Sequence, residues 1–466
     1  MKKIIIAFVL MLQAANAQHQ QATGDFTMAL TGDSIITRPL SPYTEPEFLE
    51  MIELIRNSDM AFTNLEMLFH DYEPYPMAVS GGTYMRGDPK LAQELKWAGF
   101  DMVSRANNHT GDYGVLGQTL TTKYVNEVGI IQAGVGMSLA EAREAKFLET
   151  GKARVALISV ASTFATHMAA GRSRDNAPPR PGLNPLRYSR TYILPEEEWN
   201  NLRKTGESLG LFTNQDGEPR GTSEDRPDAF NLYGRWFEKS DTNIISRWIG
   251  EGEVAGVRTE PNKKDMKEIV AVISNAKKLA DYVIVTIHAH EQKGPREIPA
   301  DFIGEFAKAT IDAGADVFVG HGPHVLRGIE MYKGKPIMYS LGDFMFQNET
   351  LLRLPADNYD NYDLDDNAHV ADFNNKRYKG GTSGFPALDE IWEGALAIPT
   401  FNGQTVKELA IYPVTLGYGL PEQVRGRPLL AKGELADKIL NDLKTRSNPY
   451  GTEITIRDGV GYVEIE

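Results

Sequence analysis

Short apolar runs recur along the first three quarters of the chain: Phe26–Leu30, Met60–Thr63, Asp101–Ser104, Val155–Val160, Tyr282–Ile287, Val317–Val319 and Ile337–Tyr339. Runs of this length, rich in β-branched and aromatic residues and bounded by polar ones, predict strands. Between several of them the apolar positions shift to helical spacing. Asp88-Pro89 reads as an N-cap and first helical residue, Leu91, Leu95 and Ala98 share the face that follows, and Gly99 is a stop. Lys264 to Ala280 and Asp301 to Ala313 repeat the amphipathic spacing, and each runs into a strand. Such alternation predicts an α/β sheet with crossover connections. From Gly394 onward the pattern turns to strands (Ala395–Ile398, Leu409–Val414), then one helix (Glu434–Lys444) and two last strands, Glu453–Ile456 and Tyr462–Ile465.

Two stretches break this rhythm. Residues from about 164 to 261 contain Pro178-Pro179, Pro181-Gly182 and Asn184-Pro185, and those from about 348 to 384 are rich in Asp, Asn and Gly. Runs this long inside a compact domain are commonly functional lids or disordered segments. The acidic run Asp357 to Asn367 lacks the ligand spacing of a calcium-binding loop and reads as an acidic lid. The expected organisation is a signal segment at 1–17, one domain over 24–416 carrying both insertions, and a C-terminal extension at 417–466 packing on it.

Composition narrows the setting. A chain of 466 residues buries a large core, and 49 basic against 63 acidic side chains give a net charge of −14. That balance disfavours nucleic acid and anionic membranes as partners, and an anionic substrate would need a local basic patch. Lys2 and Lys3, the apolar run Ile4 to Leu12 and the Ala15-Asn16-Ala17 site form a secretory signal cleaved after Ala17. The run is short for a bilayer span, so the expectation is an exported, periplasmic or extracellular protein with no permanent membrane anchor. With no cysteine, thiolate metal sites and disulfides are excluded.

The candidate chemistry lies where apolar runs stop. Six segments end in residues able to bind a metal: TGDS (Thr31–Ser34), TNLE (Thr63–Glu66), ANNH (Ala106–His109), IHAH (Ile287–His290), GHGPH (Gly320–His324) and SLGDF (Ser340–Phe344). A strand that stops at such a residue delivers it to the rim of a sheet, where several strands can converge on one ion. Each alone also fits a plainer role: Asp33 a turn or cap, Glu66 a helix-start carboxylate, Asn108-His109 a turn. Four of the nine histidines, His288, His290, His321 and His324, fall at two strand ends and shift the balance toward a metal. Imidazoles mixed with carboxylates suit Mn, Fe or Zn and not a calcium cage.

The ordered set GD, NLE, NNH, H-x-H, GHGPH-V and YSLGDF resembles the CapA family of poly-γ-glutamate capsule biosynthesis proteins, a branch of the calcineurin-like metallophosphoesterase superfamily. The match runs from about Asp25 to Phe346. The resemblance implies a layered α/β/β/α sandwich, with long insertions and a β-rich C-terminal part, and one or two divalent ions at the strand ends. It assigns Asp33 and His324 to the first metal, Glu66 to the bridging position, Asn108, His288 and His321 to the second metal, and His109 to the general acid. His290 and Asp343 would support the ligands or meet substrate. The first motif departs from the superfamily's D-x-H, since Ser34 and Ile35 follow Asp33, and Glu66 stands where an aspartate is usual. One-metal and two-metal sites therefore both remain open. The implied activity is a metal-dependent hydrolase of the cell envelope cleaving a phosphoester or an amide of an anionic polymer or small molecule. The competing reading is a non-catalytic component that binds, assembles or exports poly-γ-glutamate with the capsule-synthesis machinery.

For substrate contacts, Arg172, Arg174, Arg180, Arg187 and Arg190 crowd the first insertion, and Arg425 and Arg427 sit nearer the end. Guanidinium forks suit carboxylates and phosphates, though the same residues also fit surface ion pairs. Arg187, in PGLNPLRY, where the prolines would hold it in a defined turn, is the foremost candidate.

Overall fold

Strand β1 (Asp25–Ile35) is the axis of the molecule. Its alternate residues face two different layers. In this computed structural model, which describes residues 24–213, 221, 226–240 and 255–465, Phe26, Met28 and Leu30 point one way and Ala29 the other. Helix α1 (Pro46–Asn57) carries the chain to β2 (Met60–Leu65), α2 (Leu91–Ala98) to β3 (Met102–Ser104), and α3 (Gly114–Glu127) to β4 (Ile131–Ala133). These crossovers give parallel β1-β2-β3-β4 pairing.

A second sheet begins with β5 (Lys146–Glu149) and β6 (Arg154–Ala161). After the first insertion, α4 (Lys263–Lys277) leads to β7 (Tyr282–His288) and α5 (Asp301–Asp312) to β8 (Val317–His321). The hairpin β9 (Leu326–Tyr332) and β10 (Lys335–Leu341) closes the order β9-β10-β8-β7-β6-β5. The chain then returns to the first sheet. β11 (Asp343–Phe346) lies parallel to β1, with Asp33 opposite Asp343. The long hairpin β12 (Glu393–Asn402) and β13 (Thr405–Thr415) pairs antiparallel with β1 on the same edge as β11, opposite β2. Past α6 (Gly433–Ser447), β14 (Ile454–Arg457) and β15 (Val460–Val463) extend the same sheet beyond β13.

Three apolar layers hold the stack. Phe26, Met28 and Leu30 of the first sheet meet Val155, Leu157 and Ile284 of the second, and Phe26 stacks on Tyr282 with ring centroids 4.8 Å apart. The opposite face of the first sheet packs Ala29, Ala61 and Val103 against Phe48, Ile52 and Leu95 of the helices. The outer face of the second packs Ile158, Val283 and Val285 against Ile269, Ile273 and Phe306. The result is the expected α/β/β/α sandwich. Each large apolar side chain so enclosed contributes about 1.5–3 kcal/mol.

Each strand expected in the first three quarters of the chain lies on an observed one. The helix expected to start at Asp88-Pro89 begins instead at Leu91. The Asp88 carboxylate accepts the Lys90 N–H at 2.9 Å in a turn that precedes the helix, and Gly99 ends it at φ 108°. The irregular stretches are folded where described. The first holds the helix Glu196–Ser208 and a four-stranded sheet built on Tyr188–Leu194. The second carries short helices at Ala356–Asp360 and Val370–Arg377. No helix among the described residues is long and apolar enough to cross a membrane, and the signal segment 1–17 lies outside those residues.

Candidate metal centre

The strand ends of both sheets meet at one point. Asp33 sits near the end of β1, Glu66 follows β2, and Asn108 and His109 lie in the loop after β3. From the second sheet come His288 at the end of β7, His290 two residues on, and His321 at the end of β8. His324 follows in the turn, and Asp343 opens β11. Paired β7 and β8 place His288 level with His321, so their Nδ1 atoms lie 3.1 Å apart. Asp33 Oδ1 is 3.6 Å from both of these nitrogens. The other end of the His288 ring faces a second group, with Nε2 at 2.9 Å from His290 Nε2 and 3.7 Å from Glu66 Oε1.

Candidate ligand atoms fall into three clusters, each within 4.8 Å: Asp33 with His288 and His321, Glu66 with His290 and His324, and Asp33 with His324 and Asp343. This grouping differs from the one the resemblance implies. It moves His290 from a supporting place to one among the ligand atoms, and joins His288 and His321 to Asp33. Two strand-pairing facts cause the difference: β7 and β8 are adjacent, and the turn after His288 folds His290 back over it.

The residues fit a cation. Both Glu66 carboxylate oxygens are buried without a hydrogen-bond partner, as are Asn108 Oδ1, His321 Nε2 and Asp343 Oδ2. Buried polar atoms are nearly always partnered, and five orphans on the residues of this centre fit a bound cation. Electrostatics agree. Burial pushes the Glu66 carboxyl well above the usual range, and the charges of Asp33 and Asp343 push it further. Burial likewise raises Asp343 to about 6, against the pull of His324. Burial would raise Asp33 too, but the imidazoles of His288, His321 and His324 hold it below the usual carboxylate range. Burial lowers His321 to about 3 and His290 well below its ordinary value, which keeps both rings neutral and able to bind metal.

Each remaining histidine is oriented by a carboxylate. His324 adopts φ 59°, a conformation costing about 1–2 kcal/mol outside glycine, and its Nδ1 lies 2.8 Å from Asp343 Oδ1. His109 Nδ1 is 2.7 Å from Asp112 Oδ2. Asp112 also accepts the N–H groups of Gly81 (2.8 Å) and Met85 (2.9 Å), so it is an acceptor and His109 Nδ1 the donor. His109 Nε2 is thereby turned toward Glu66 Oε1, 3.6 Å away.

A cleft of about 280 Å³ opens over this centre, and Asn108, His109, His290 and His324 line its floor. Arg187 is not part of it. Its Nε and Nη2 make a bidentate pair with Asp265, each bond 2.7 Å, and Asp265 also holds Arg143. Arg172, Arg425 and Arg427 are similarly paired, with Glu268, Glu349 and Glu45. The arginines that do reach the cleft are Arg296 and Arg377. Sequence reasoning passed over both, and over Asp112, whose only signal is its position three residues beyond His109.

A family model described as bacterial capsule synthesis protein PGA_cap matches residues 21–348. The chain is similar to uncharacterized protein y4sH of Sinorhizobium fredii, with 38% identity over 452 residues, 94% of this chain and 93% of that one. It is 23% identical over 327 residues to the capsule biosynthesis protein CapA of Bacillus anthracis, covering 69% of this chain and 59% of that one. Over 147 residues it is 46% identical to the PGA biosynthesis protein CapA of Bacillus subtilis, 30% of this chain and 37% of that one.

Proposed function

Because the chain belongs to the PGA_cap family of bacterial capsule synthesis proteins, within the metallophosphoesterase-like superfamily, we propose that it is an exported metal-dependent hydrolase. Its substrate would be an anionic chain related to poly-γ-glutamate. The observation that carries this reading is Glu66, a carboxylate buried with both oxygens unpartnered among the imidazoles of His109, His288, His290 and His324.

Asp33, Glu66, His288, His290, His321 and His324, with the Asn108 oxygen, would hold one or two divalent ions of the Mn, Fe or Zn type. An ion held there supplies Lewis acidity toward water and toward a carbonyl or phosphoryl oxygen. The chain supplies the rest. Asp343 fixes the His324 ring and Asn64 donates to Asp33 Oδ1 at 2.7 Å, so the ligands are aimed before anything binds. His109 donates Nδ1–H to Asp112, which supports an imidazolium, and in that form the proton on Nε2 would pass to the leaving group.

The test combines metal analysis with turnover. The purified protein should carry about one or two equivalents of a transition metal, and hydrolyse a γ-glutamyl amide or a phosphoester in a screen. His109→Ala should lower kcat by about 10²–10⁴-fold and leave metal content unchanged. A protein that takes up no metal after reconstitution with Mn, Fe and Zn would defeat the proposal. So would a His109→Ala variant with full turnover. Asp112→Asn should lower kcat by about 10–100-fold and displace the acidic or basic limb of the pH–rate profile, with metal content again intact. An unchanged profile would remove Asp112 from the proton path.

A further inference from the structure

Arg296 and Arg377 stand on the walls of the cleft above His109 and His324. Neither makes an ion pair with a carboxylate among the described residues, whereas the arginines of the first insertion and of the RGRP segment largely do. In a protein of net charge −14, two unpaired guanidinium groups beside a carboxylate-rich centre are a local exception. Each is held in place without being neutralised. Arg377 donates from Nη1 to Thr83 Oγ1 and lies over the Tyr378 ring, 5.1 Å from its centroid. Arg296 anchors through its backbone carbonyl, which accepts Arg327 Nε at 3.0 Å, and its Nη1 is buried with no partner. Asn348 lines the same cleft; its Oδ1 is buried with no partner, and its amide nitrogen donates to Tyr378 OH at 3.3 Å. Phe346 and Phe385, edge to face at 5.2 Å, supply an apolar surface between these groups.

We propose that Arg296 and Arg377 form a clamp for a substrate carboxylate adjacent to the bond that is cleaved, and that Asn348 accepts the N–H of that substrate's amide. This rests on the hydrolase reading and names the substrate class within it: a γ-linked glutamyl chain, which carries a free carboxylate and an amide N–H in every unit. A guanidinium fork matches a carboxylate in a bidentate manner, and the strength of such bonds is greatest where both charges lack competing partners. A phosphoester would satisfy the arginines but leave the Asn348 acceptor unpaired, which is why the amide is favoured.

The experiment measures binding, not turnover. Metal-loaded protein in the His109→Ala background is titrated with a fluorescent γ-linked glutamate oligomer, and with the same oligomer amidated at its side carboxylates. Arg296→Gln and Arg377→Gln should each weaken binding of the acidic oligomer about tenfold or more. Their metal content should be unchanged, and the amidated oligomer should bind weakly to all forms. Equal affinity of parent and variants for the acidic oligomer would overturn the clamp. So would an equal loss for both oligomers, or displacement of the oligomer by inorganic phosphate but not by glutarate, which would assign the arginines to phosphoryl oxygens. Because no turnover is needed, a failure of the clamp is distinct from a failure of the hydrolase reading, which is decided by metal content and kcat of the parent.

Discussion

Exchanging Glu66 for glutamine is expected to separate stability from metal binding in opposite directions. After metal is stripped from both proteins by a chelator, the variant should melt no lower than the parent. Its affinity for divalent ions should fall by at least about a hundredfold and its turnover by about 10³-fold. The side chain is fully buried, makes no hydrogen bond, and lies near the like charges of Asp33 and Asp343. With its carboxyl pushed well above the usual range, metal-free Glu66 must either hold an unpartnered charge or take up a proton that the unfolded group releases at neutral pH, and an amide avoids both costs. The native carboxylate is therefore a liability to the metal-free fold and is justified only by a cation. Scanning calorimetry with and without chelator, beside metal titration, reads both effects. A metal-free variant that melts well below the parent would show that Glu66 stabilises the fold by itself.

The second large effect comes from Gly32, one residue before Asp33. A Cβ built there would lie 1.8 Å from the Gly342 carbonyl oxygen and 2.9 Å from its carbon, both backbone atoms. Neither can swing aside as a flexible side chain would. Gly32→Ala must push β1 away from β11, breaking the bond from Asp33 N–H to Gly342 O (3.1 Å) and the Asp33–Asp343 register. The expected loss is about 3 kcal/mol, with metal occupancy falling in parallel. Gly151→Ala, where a Cβ would meet nothing within 4 Å, is the control and should shift stability by less than about 0.5 kcal/mol. Denaturant unfolding of the three proteins decides the matter, and a Gly32→Ala protein as stable as the control would contradict this account of the junction.

The sandwich and much of its centre could be read from the sequence because their signals are local. An apolar run that ends in Asp, Glu or His states both a strand and what stands at its rim, and Asp33, His288 and His321 are of this kind. What escaped depends on distant neighbours. Nothing near Arg377 in sequence says that it lacks an acidic partner, and nothing near Arg187 says that Asp265 occupies it. The placement of His290 depends on a turn that the H-x-H spacing does not specify. The sheet built on Tyr188–Leu194 was also hidden. Ser189 and Arg190 are exposed, Tyr188, Tyr192 and Leu194 half-buried, and only Thr191 and Ile193 enclosed, so its apolar signal is faint.

The pairing of β1 with β11 has a bearing on how the molecule comes into being. Asp33 and Asp343 lie opposite each other in the sheet, yet the whole second sheet is built by the chain between them. At ribosomal speeds of about 5–20 residues per second, their emergence is separated by tens of seconds. During that interval β1 must wait with one edge open, and no fragment ending before Asp343 contains the full ring of donors. The donor ring is complete only once residue 343 has emerged, before the β12–β13 hairpin and the C-terminal strands join the first sheet. An ion captured there would certify that synthesis has passed residue 343 and that the two sheets have found each other, a proofreading step that requires no second protein.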